Sequence, residues 1–286
     1  MNNMTYNGDF IRLKEEELKL QLMKLHTKQL SWQRVDQELI LYSMMKNIGS
    51  SDSGLRDTLI YGTFSNLILE NKLSVSVLEE LLEECLSNKF LYNGIGESDT
   101  DSVFTRAFTT LLIALILFQD NKNDFLSVRK INEVKDSLIK YIRQEKDVRG
   151  FVPHKGWAHS IAHVSDTFYE LIKNKKLDST YYKEIVSVIW AKIFVSDDVY
   201  HHDEEERMLI PILEMLQRGL SVNIILELLE SMTNELSQRK KKLPEQNYWY
   251  LVANCKNFLR TFYFVVSDSN FKSLQPVINN VLLMIK

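Results

Sequence analysis

Residues 111–118, LLIALILF, form the most apolar stretch of the chain, with Arg106 before it and Asp120 after it. A helix that spans a bilayer needs roughly 20 consecutive apolar residues, and this stretch has only eight. We therefore predict a helix buried in a protein core, and no membrane span.

The same helical periodicity continues on both sides of this stretch. Apolar residues recur three or four positions apart, as at Leu18, Leu22 and Leu25, and alternation typical of strands is confined to a few residues. Only nine Gly and four Pro occur in 286 residues, which suits long helices because both residues disfavour helix interiors. The sequence thus predicts an all-α fold of about twelve helices, at residues 12–31, 35–48, 54–72, 75–88, 102–119, 125–145, 156–175, 179–195, 203–218, 222–240, 246–266 and 270–285.

Helix pairs recur along the second part of the chain. They begin near residues 102, 156, 203 and 246, a spacing of roughly 43–54 residues. HEAT and armadillo units have a similar length of ~40–47 residues. We therefore predict stacked antiparallel helical hairpins in a HEAT/armadillo-like α-solenoid, with a closed α/α toroid as the alternative.

A polar loop at residues 92–101 is the best internal boundary. It divides the chain into an N-terminal helical part of the stack, residues 1–99, and a helical-repeat domain, residues 100–286. In such a stack, one helix of each pair lines a concave face, so polar residues on the lining helices are candidates for function.

Charge and cysteine content narrow the function classes. The net charge of −3 gives no basic field for phosphate binding, so we expect no nucleic-acid partner. Cys85 and Cys255 lie in apolar helical patterns without CxxC spacing, which argues against a disulfide framework or a zinc knuckle. Met1–Phe10 lacks the basic and apolar regions of a secretory signal. We expect a cytoplasmic protein.

The most unusual segment is DVRGFVPHKGWAHSIAHVSD, residues 147–166, because three of the six histidines occur within ten residues. His159, His163 and Asp166 are spaced i, i+4, i+7, so on one helix they project from one face. Two histidines at i, i+4 can share a metal ion, as in the HExxH motif, although Ser160 replaces its Glu here. His159 and His163 are therefore candidate ligands of a divalent metal. The alternative is a structural pair that bonds neighbouring carboxylates or carbonyls.

Polar residues on either side extend this candidate site. The run His201–Glu204 can supply further metal ligands from the next helix pair, or it is a helix start whose acids complement the helix dipole. The loop before the histidines adds a cationic and aromatic rim suited to an anionic or sugar-like ligand, unless its cations are solvated and its Trp is a core anchor. The candidate ligand-binding residues are Arg149, Lys155, Trp157, His159, His163, Asp166, Glu206 and Arg207.

Arg260 is a charge within the apolar segment NFLRTFYFV, residues 257–265. A charge in such a helix needs a partner or a polar cavity. We predict a buried ion pair with Glu204 or Glu206, and the alternative is contact with an anionic ligand.

At DVRGFVPHKGWAHSIAHVSD, HHDEEERM and NCKNFLRTFYF, the chain resembles the uncharacterised bacterial family called domain of unknown function 2785. The resemblance covers roughly residues 100–265, and KGWAHSIAH is its most specific part. It implies an armadillo-type helical repeat in a bacterial cytoplasmic protein, and no known activity. The positions that match the family pattern are Arg149, Gly150, Gly156, Trp157, His159, His163, Asp166, Glu204, Glu206 and Arg207.

Two functions fit these patterns. The first is a scaffold that binds a small molecule or a protein segment in a concave groove, with the histidine segment in its polar pocket. The second is a metal-dependent hydrolase in which His159 and His163 hold a divalent ion and Asp166 or Glu204 acts as ligand or base. A purely structural role for the cluster is a third interpretation.

Overall fold

The structure, a computed structural model, describes residues 12–285, and this part of the chain is all-α as predicted. The twelve expected helices are confirmed, most with ends within a few residues of the predicted ones. They are α1 Glu15–His26, α2 Gln37–Lys46, α3 Gly62–Leu69, α4 Val75–Cys85, α5 Ser102–Asn123, α6 Val128–Gln144, α7 Ser160–Lys173, α8 Tyr182–Ala191, α9 Glu204–Gln217, α10 Val222–Lys240, α11 Glu245–Val266 and α12 Gln275–Met284. A π-helical segment, Gly54–Tyr61, leads directly into α3. Met1–Phe10, for which we predict no secretory signal, lies outside the described residues.

The helices of the second half pack in chain order. Helix α5 packs on α7, α7 on α9 and α9 on α11, while α6 packs on both α7 and α8. Helices α3 and α4 of the N-terminal part also pack on α5, so one hydrophobic core extends from Leu18 to Ile285. The order of packing places the N-termini of α7 and α9 side by side. The solenoid class and its toroid alternative remain predictions.

Helix α5 contains the apolar stretch 111–118 and occupies the core. By length and composition alone it could cross a membrane, since its best 18-residue window has a mean hydropathy of 1.6. However, 67% of that window is buried inside the protein, and α5 also carries the buried, ion-paired Arg106. These properties are typical of a core helix in a folded domain.

A short antiparallel hairpin precedes α7, where the sequence pattern predicted the start of a helix. Its strands are β1, Phe151–Val152, and β2, Gly156–Trp157. Gly156 (φ +80°) and His159 (φ +46°) have left-handed backbone conformations, which an α-helix excludes, so α7 begins only at Ser160. The prediction that His159 shares a helix face with His163 is therefore wrong.

The prediction of a buried ion pair for Arg260 is also wrong. Its side chain is exposed, and Nη1 lies 3.5 Å from Oδ1 of Asn257 on the same helix. The apolar face of α11 is formed instead by residues such as Phe258, Leu259 and Phe262, which are fully buried, so the arginine lies on the opposite, solvated face.

The buried charge pair of this fold is Arg106 with Glu145, and both side chains are fully buried. Arg106 donates from Nε to Oε2 of Glu145 at 2.6 Å and from Nη2 to Oε1 at 2.9 Å. The hydroxyl of Tyr141 donates to the same carboxylate, as do the backbone N–H groups of Lys146 and Asp147. Glu145 therefore fixes the chain where α6 ends and the connection to α7 begins.

Breaking this pair should destabilise the protein strongly. We expect Arg106→Ala or Glu145→Ala to lower the free energy of unfolding by about 3–5 kcal/mol, because each strands an unpaired buried charge. Replacing both residues together by Met and Leu removes the unpaired charge and should cost less than the two single losses added together, although the Tyr141 hydroxyl and two backbone N–H groups then lose their acceptor. Urea unfolding followed by circular dichroism measures these differences.

The exposed pair Arg143–Glu184 is the matched control. Its side chains are about half exposed, so Arg143→Ala should change the free energy of unfolding by only about 0–1 kcal/mol. Equal losses for Arg106→Ala and Arg143→Ala would contradict a special role of the buried pair.

Candidate functional site

The connection between α6 and α7 is held by Asp147, which is almost fully buried. Its carboxylate accepts hydrogen bonds from Nε and Nη2 of Arg149, and its carbonyl accepts one from the hydroxyl of Ser160. Arg149 also donates from Nη2 to the carbonyl of Thr100 at 2.8 Å. Arg149, a predicted ligand-binding residue, thus uses its guanidinium to shape the connection.

Backbone hydrogen bonds then bring this connection back to the start of α7. The N–H of Ala158 donates to the carbonyl of Gly150 at 2.8 Å, and the N–H of His159 donates to the carbonyl of Arg149 at 3.0 Å. Gly150 and His159 are therefore neighbours, although nine positions separate them in the sequence.

The hairpin is anchored by Arg56 from the N-terminal part of the chain. This fully buried guanidinium lies 4.2 Å from the ring centre of Phe104 and donates from Nη2 to the carbonyl of Lys155 at 2.7 Å. Gly156 passes so close that an added Cβ would lie 3.1 Å from Nη2 of Arg56. The side chain of Lys155 points elsewhere and pairs with Asp101 at 2.7 Å.

Three side chains converge where the connection meets α9, and we call this group the His159–His202–Glu204 cluster. One potential ligand atom from each residue lies within 4.8 Å of the other two. Nε2 of His159 is 3.4 Å from Oε1 of Glu204, and Glu204 is only 1% exposed. The backbone N–H of His202 donates to the other carboxylate oxygen, Oε2, at 2.9 Å and so orients Glu204.

Each of these three atoms lacks a hydrogen-bond partner among the described residues. They are Nε2 of His159, Nδ1 of His202 and Oε1 of Glu204. Buried polar atoms are normally paired, since leaving one unpaired costs about 1–3 kcal/mol. The three atoms lie close enough together for one cation to pair with all of them.

Burial and nearby positive charge keep His159 and His163 neutral. Burial, followed by the positive charge of Arg207, lowers the pKa of His159 to about 4. Burial likewise lowers the pKa of His163 well below its usual value. A neutral imidazole has a free nitrogen lone pair, which is the form that binds a metal ion.

The backbone at the site adopts unfavourable conformations. His159 (φ +46°, ψ +37°) and Asp203 (φ +61°, ψ +26°) are the N-cap residues of α7 and α9, and both are left-handed without being glycine. Such residues cost of order 1–3 kcal/mol each and cluster at functional sites. One of these caps, His159, belongs to the His159–His202–Glu204 cluster, and the other, Asp203, lies between its remaining two members in the sequence.

Trp157 forms an aromatic rim at the cluster, as the sequence suggested. Its ring centre lies 4.4 Å from that of His159 and 5.0 Å from that of His202. Phe151 packs edge-on against Trp157 at 5.0 Å, and the two rings are 49% and 39% exposed. An apolar surface therefore borders the polar cluster on its solvent side.

His163 lies behind the cluster. Its ring centre is 5.8 Å from that of His159 and its edge meets Phe108 at 5.3 Å, while the carbonyl of Ala107 accepts its ring N–H. Its Nδ1 has no partner among residues 12–285. The structure thus groups His159 with His202 and Glu204, and it leaves His163 outside this set of potential ligands.

Two further predicted site residues, Asp166 and Arg207, pair with each other. Arg207 donates from Nε to Oδ1 of Asp166 at 2.8 Å and from Nη2 to Oδ2. Glu206 is exposed, and its carboxylate contacts no other side chain in the described part of the chain. The list of candidate site residues omitted His202, although the sequence analysis had named the run His201–Glu204 as a possible source of further metal ligands.

The fold and the cluster define an all-α protein with a two-histidine, one-carboxylate constellation at the N-termini of two adjacent helices. The chain belongs to the family described as "Protein of unknown function (DUF2785)", whose model matches residues 91–264. No curated protein and no solved structure matches the chain.

The depressed pKa of His159 predicts a pH-dependent stability of the metal-free protein. Below pH 6.5 this histidine is protonated in the unfolded state, whereas in the folded state it stays neutral until about pH 4. Stability conferred by the neutral ring is therefore lost as the pH falls from about 6.5 to 4. When the pH falls from 7 to 4.5, the free energy of unfolding should decrease in both proteins. The decrease should be about 2–3 kcal/mol smaller in His159→Gln than in the wild type.

Urea unfolding at several pH values with a chelator present measures this difference. His201→Gln is the control, because that side chain is 62% exposed. Its pH profile should follow the wild type. Parallel profiles for His159→Gln and the wild type would show that His159 titrates normally.

Proposed function

We propose that this protein binds a divalent transition-metal ion at the His159–His202–Glu204 cluster and is a metal-dependent enzyme of the hydrolase class. The observation that carries the proposal is the convergence of three unpartnered acceptor atoms within 4.8 Å. The proposal changes the expected ligand set, because His202 takes the place of His163 beside His159, while Glu204 stays as the carboxylate that the sequence analysis had offered as an alternative to Asp166.

A metal ion would pair with the three unpartnered atoms of the cluster more completely than the imidazole N–H groups do. The imidazole N–H groups of His159 and His202 can also be directed at Oε1 of Glu204, but the His159 contact is long at 3.4 Å and neither nitrogen makes a hydrogen bond with the described residues. One cation in the centre would bind all three atoms at once. Two imidazoles and a carboxylate suit Zn²⁺, Fe²⁺, Co²⁺ or Mn²⁺. The N–H of His202 supports the carboxylate from behind, as partners of metal ligands commonly do.

Three protein ligands are also the number found in catalytic zinc sites, where water takes a further position. His159 retains 11% exposure and the neighbouring Trp157 retains 39%, so solvent reaches this side of the cluster. A bound ion lowers the pKa of its water and polarises an ester or amide carbonyl. These features support hydrolysis as the reaction class.

A scaffold that binds a ligand without a metal is the second candidate. The exposed Phe151–Trp157 pair favours it, because such an aromatic surface suits an apolar or sugar-like ligand. Ligand binding that persists in chelator and is lost in Trp157→Ala would support this candidate.

We further propose a cytoplasmic location, which is supported by the buried cysteines Cys85 and Cys255 remaining free thiols.

Metal uptake tests the proposal directly. We expect tag-free protein dialysed against Zn²⁺ or Co²⁺ to retain about one equivalent. His202→Gln and Glu204→Gln should weaken binding more than about a hundredfold, since even supporting partners of metal ligands contribute about 10–100-fold. Elemental analysis after dialysis and competition with a chromogenic chelator provide the stoichiometry and affinity.

His201→Gln and Glu206→Gln are matched controls, because each is exposed and lies next to or near a proposed ligand. Both should bind metal like the wild type. Wild-type protein retaining less than about a tenth of an equivalent would contradict the proposal, and so would equal losses in the control variants.

Gly150 provides a further test, because its backbone lies against the cluster. A Cβ added at this position would lie 2.3 Å from Nδ1 of His202 and 2.6 Å from Oε1 of Glu204. Gly150→Ala should therefore displace both ligand atoms and weaken metal binding about 10–100-fold.

Gly54→Ala is the control for this substitution, since its Cβ would meet only Oδ1 of Asp52 at 3.1 Å. The same chelator competition compares the two variants. Unchanged metal affinity in Gly150→Ala would mean that the ion binds elsewhere.

A further inference from the structure

Arg207 lies one helical turn after Glu204 on α9, so the two side chains are neighbours on the helix surface. Its charge acts on both His159 and His163, and Glu204 acts in turn on Arg207. The side chain of Arg207 is 34% exposed. The guanidinium is therefore adjacent to the proposed metal position and open to solvent.

The contacts of Arg207 leave one edge of the guanidinium unused. Nε and Nη2 both donate to Asp166, which holds the group in a fixed orientation from one side. Nη1 donates to no atom of residues 12–285. An arginine held in this way presents a preformed donor to an incoming oxyanion.

Tyr61 supplies a second potential donor in the same region, since its ring and that of His163 both pack edge-on against Phe108. It is half-buried at the end of the π-helical segment, packs edge-on against Phe108 at 6.3 Å, and its hydroxyl bonds no described residue. Burial raises its pKa, and the nearby Asp166 carboxylate raises it further, so the hydroxyl stays protonated at neutral pH.

We propose that Arg207 and Tyr61 form an anion-recognition subsite of the metal centre, and that the substrate carries a carboxylate or phosphoryl group. This inference rests on the proposed metal site: an ion held there would polarise the reacting part of the substrate, and Nη1 of Arg207 and the hydroxyl of Tyr61 bind the anionic group. Asp166 is a positioning residue, because it holds Arg207 and touches no substrate.

Anion titration of Co²⁺-loaded full-length protein tests the subsite. Inorganic phosphate and acetate are the two probes, and the visible absorption of Co²⁺ with calorimetry reports their binding. We expect at least one probe to bind the wild type, and the comparison of the two separates phosphoryl from carboxylate recognition.

Arg207→Gln combined with Asp166→Asn avoids leaving a buried carboxylate unpaired. We expect this double variant to bind the preferred anion at least about tenfold more weakly, the usual effect of losing a charged hydrogen bond. Tyr61→Phe should weaken it about threefold to tenfold. Arg218→Gln is the control at the C-cap of α9. Within residues 12–285 the Arg218 guanidinium pairs with Glu214 alone, so the anion affinity of this variant should equal that of the wild type.

Elemental analysis of each sample separates the two proposals. Anion binding that depends on Arg207 in samples with equal Co²⁺ content supports the subsite. Full Co²⁺ content with no binding of either probe, or with equal binding by the double variant, overturns the subsite and leaves the metal site intact. Wild-type protein without bound Co²⁺ overturns both.

Discussion

The buried ion pair between Arg106 and Glu145 is the interaction on which the arrangement of the site depends. Glu145 ends α6, and its carboxylate also binds the first two N–H groups of the connection that follows. Arg106 supplies the compensating charge from the core helix α5. Without that compensation a carboxylate would not remain buried, and the connection to α7 would lose its fixed starting point.

The site is assembled from three parts of the chain that are distant in sequence. Arg56 fixes the hairpin from the N-terminal part, the α6–α7 connection provides Gly150 and His159, and the start of α9 provides His202 and Glu204. Each part is constrained by buried hydrogen bonds rather than by apolar packing alone. This explains how two residues with unfavourable backbone conformations are maintained at the caps of α7 and α9.

Sequence periodicity predicted the helices well because apolar residues at helical spacing directly report the buried face. It failed at residues 156–159, where the left-handed residues Gly156 and His159 and the short strand β2 replace the first turn of the expected helix. The spacing of His159 and His163 therefore pointed to the wrong partner. His202 becomes the neighbour of His159 only through the packing of α7 on α9, a long-range contact that local patterns do not encode. The same limit applies to Arg260, because its helix face depends on which side α11 buries.

The central claim is that His159, His202 and Glu204 bind one metal ion together. The X-ray absorption spectrum of the zinc-loaded protein at the metal edge tests it most directly. We expect nitrogen and oxygen ligands at ~2.0–2.2 Å, with multiple scattering from two imidazole rings. We also expect one of the two imidazole contributions to disappear in His202→Gln. A ligand shell of oxygen atoms alone, or two imidazoles that persist in that variant, would contradict the claim.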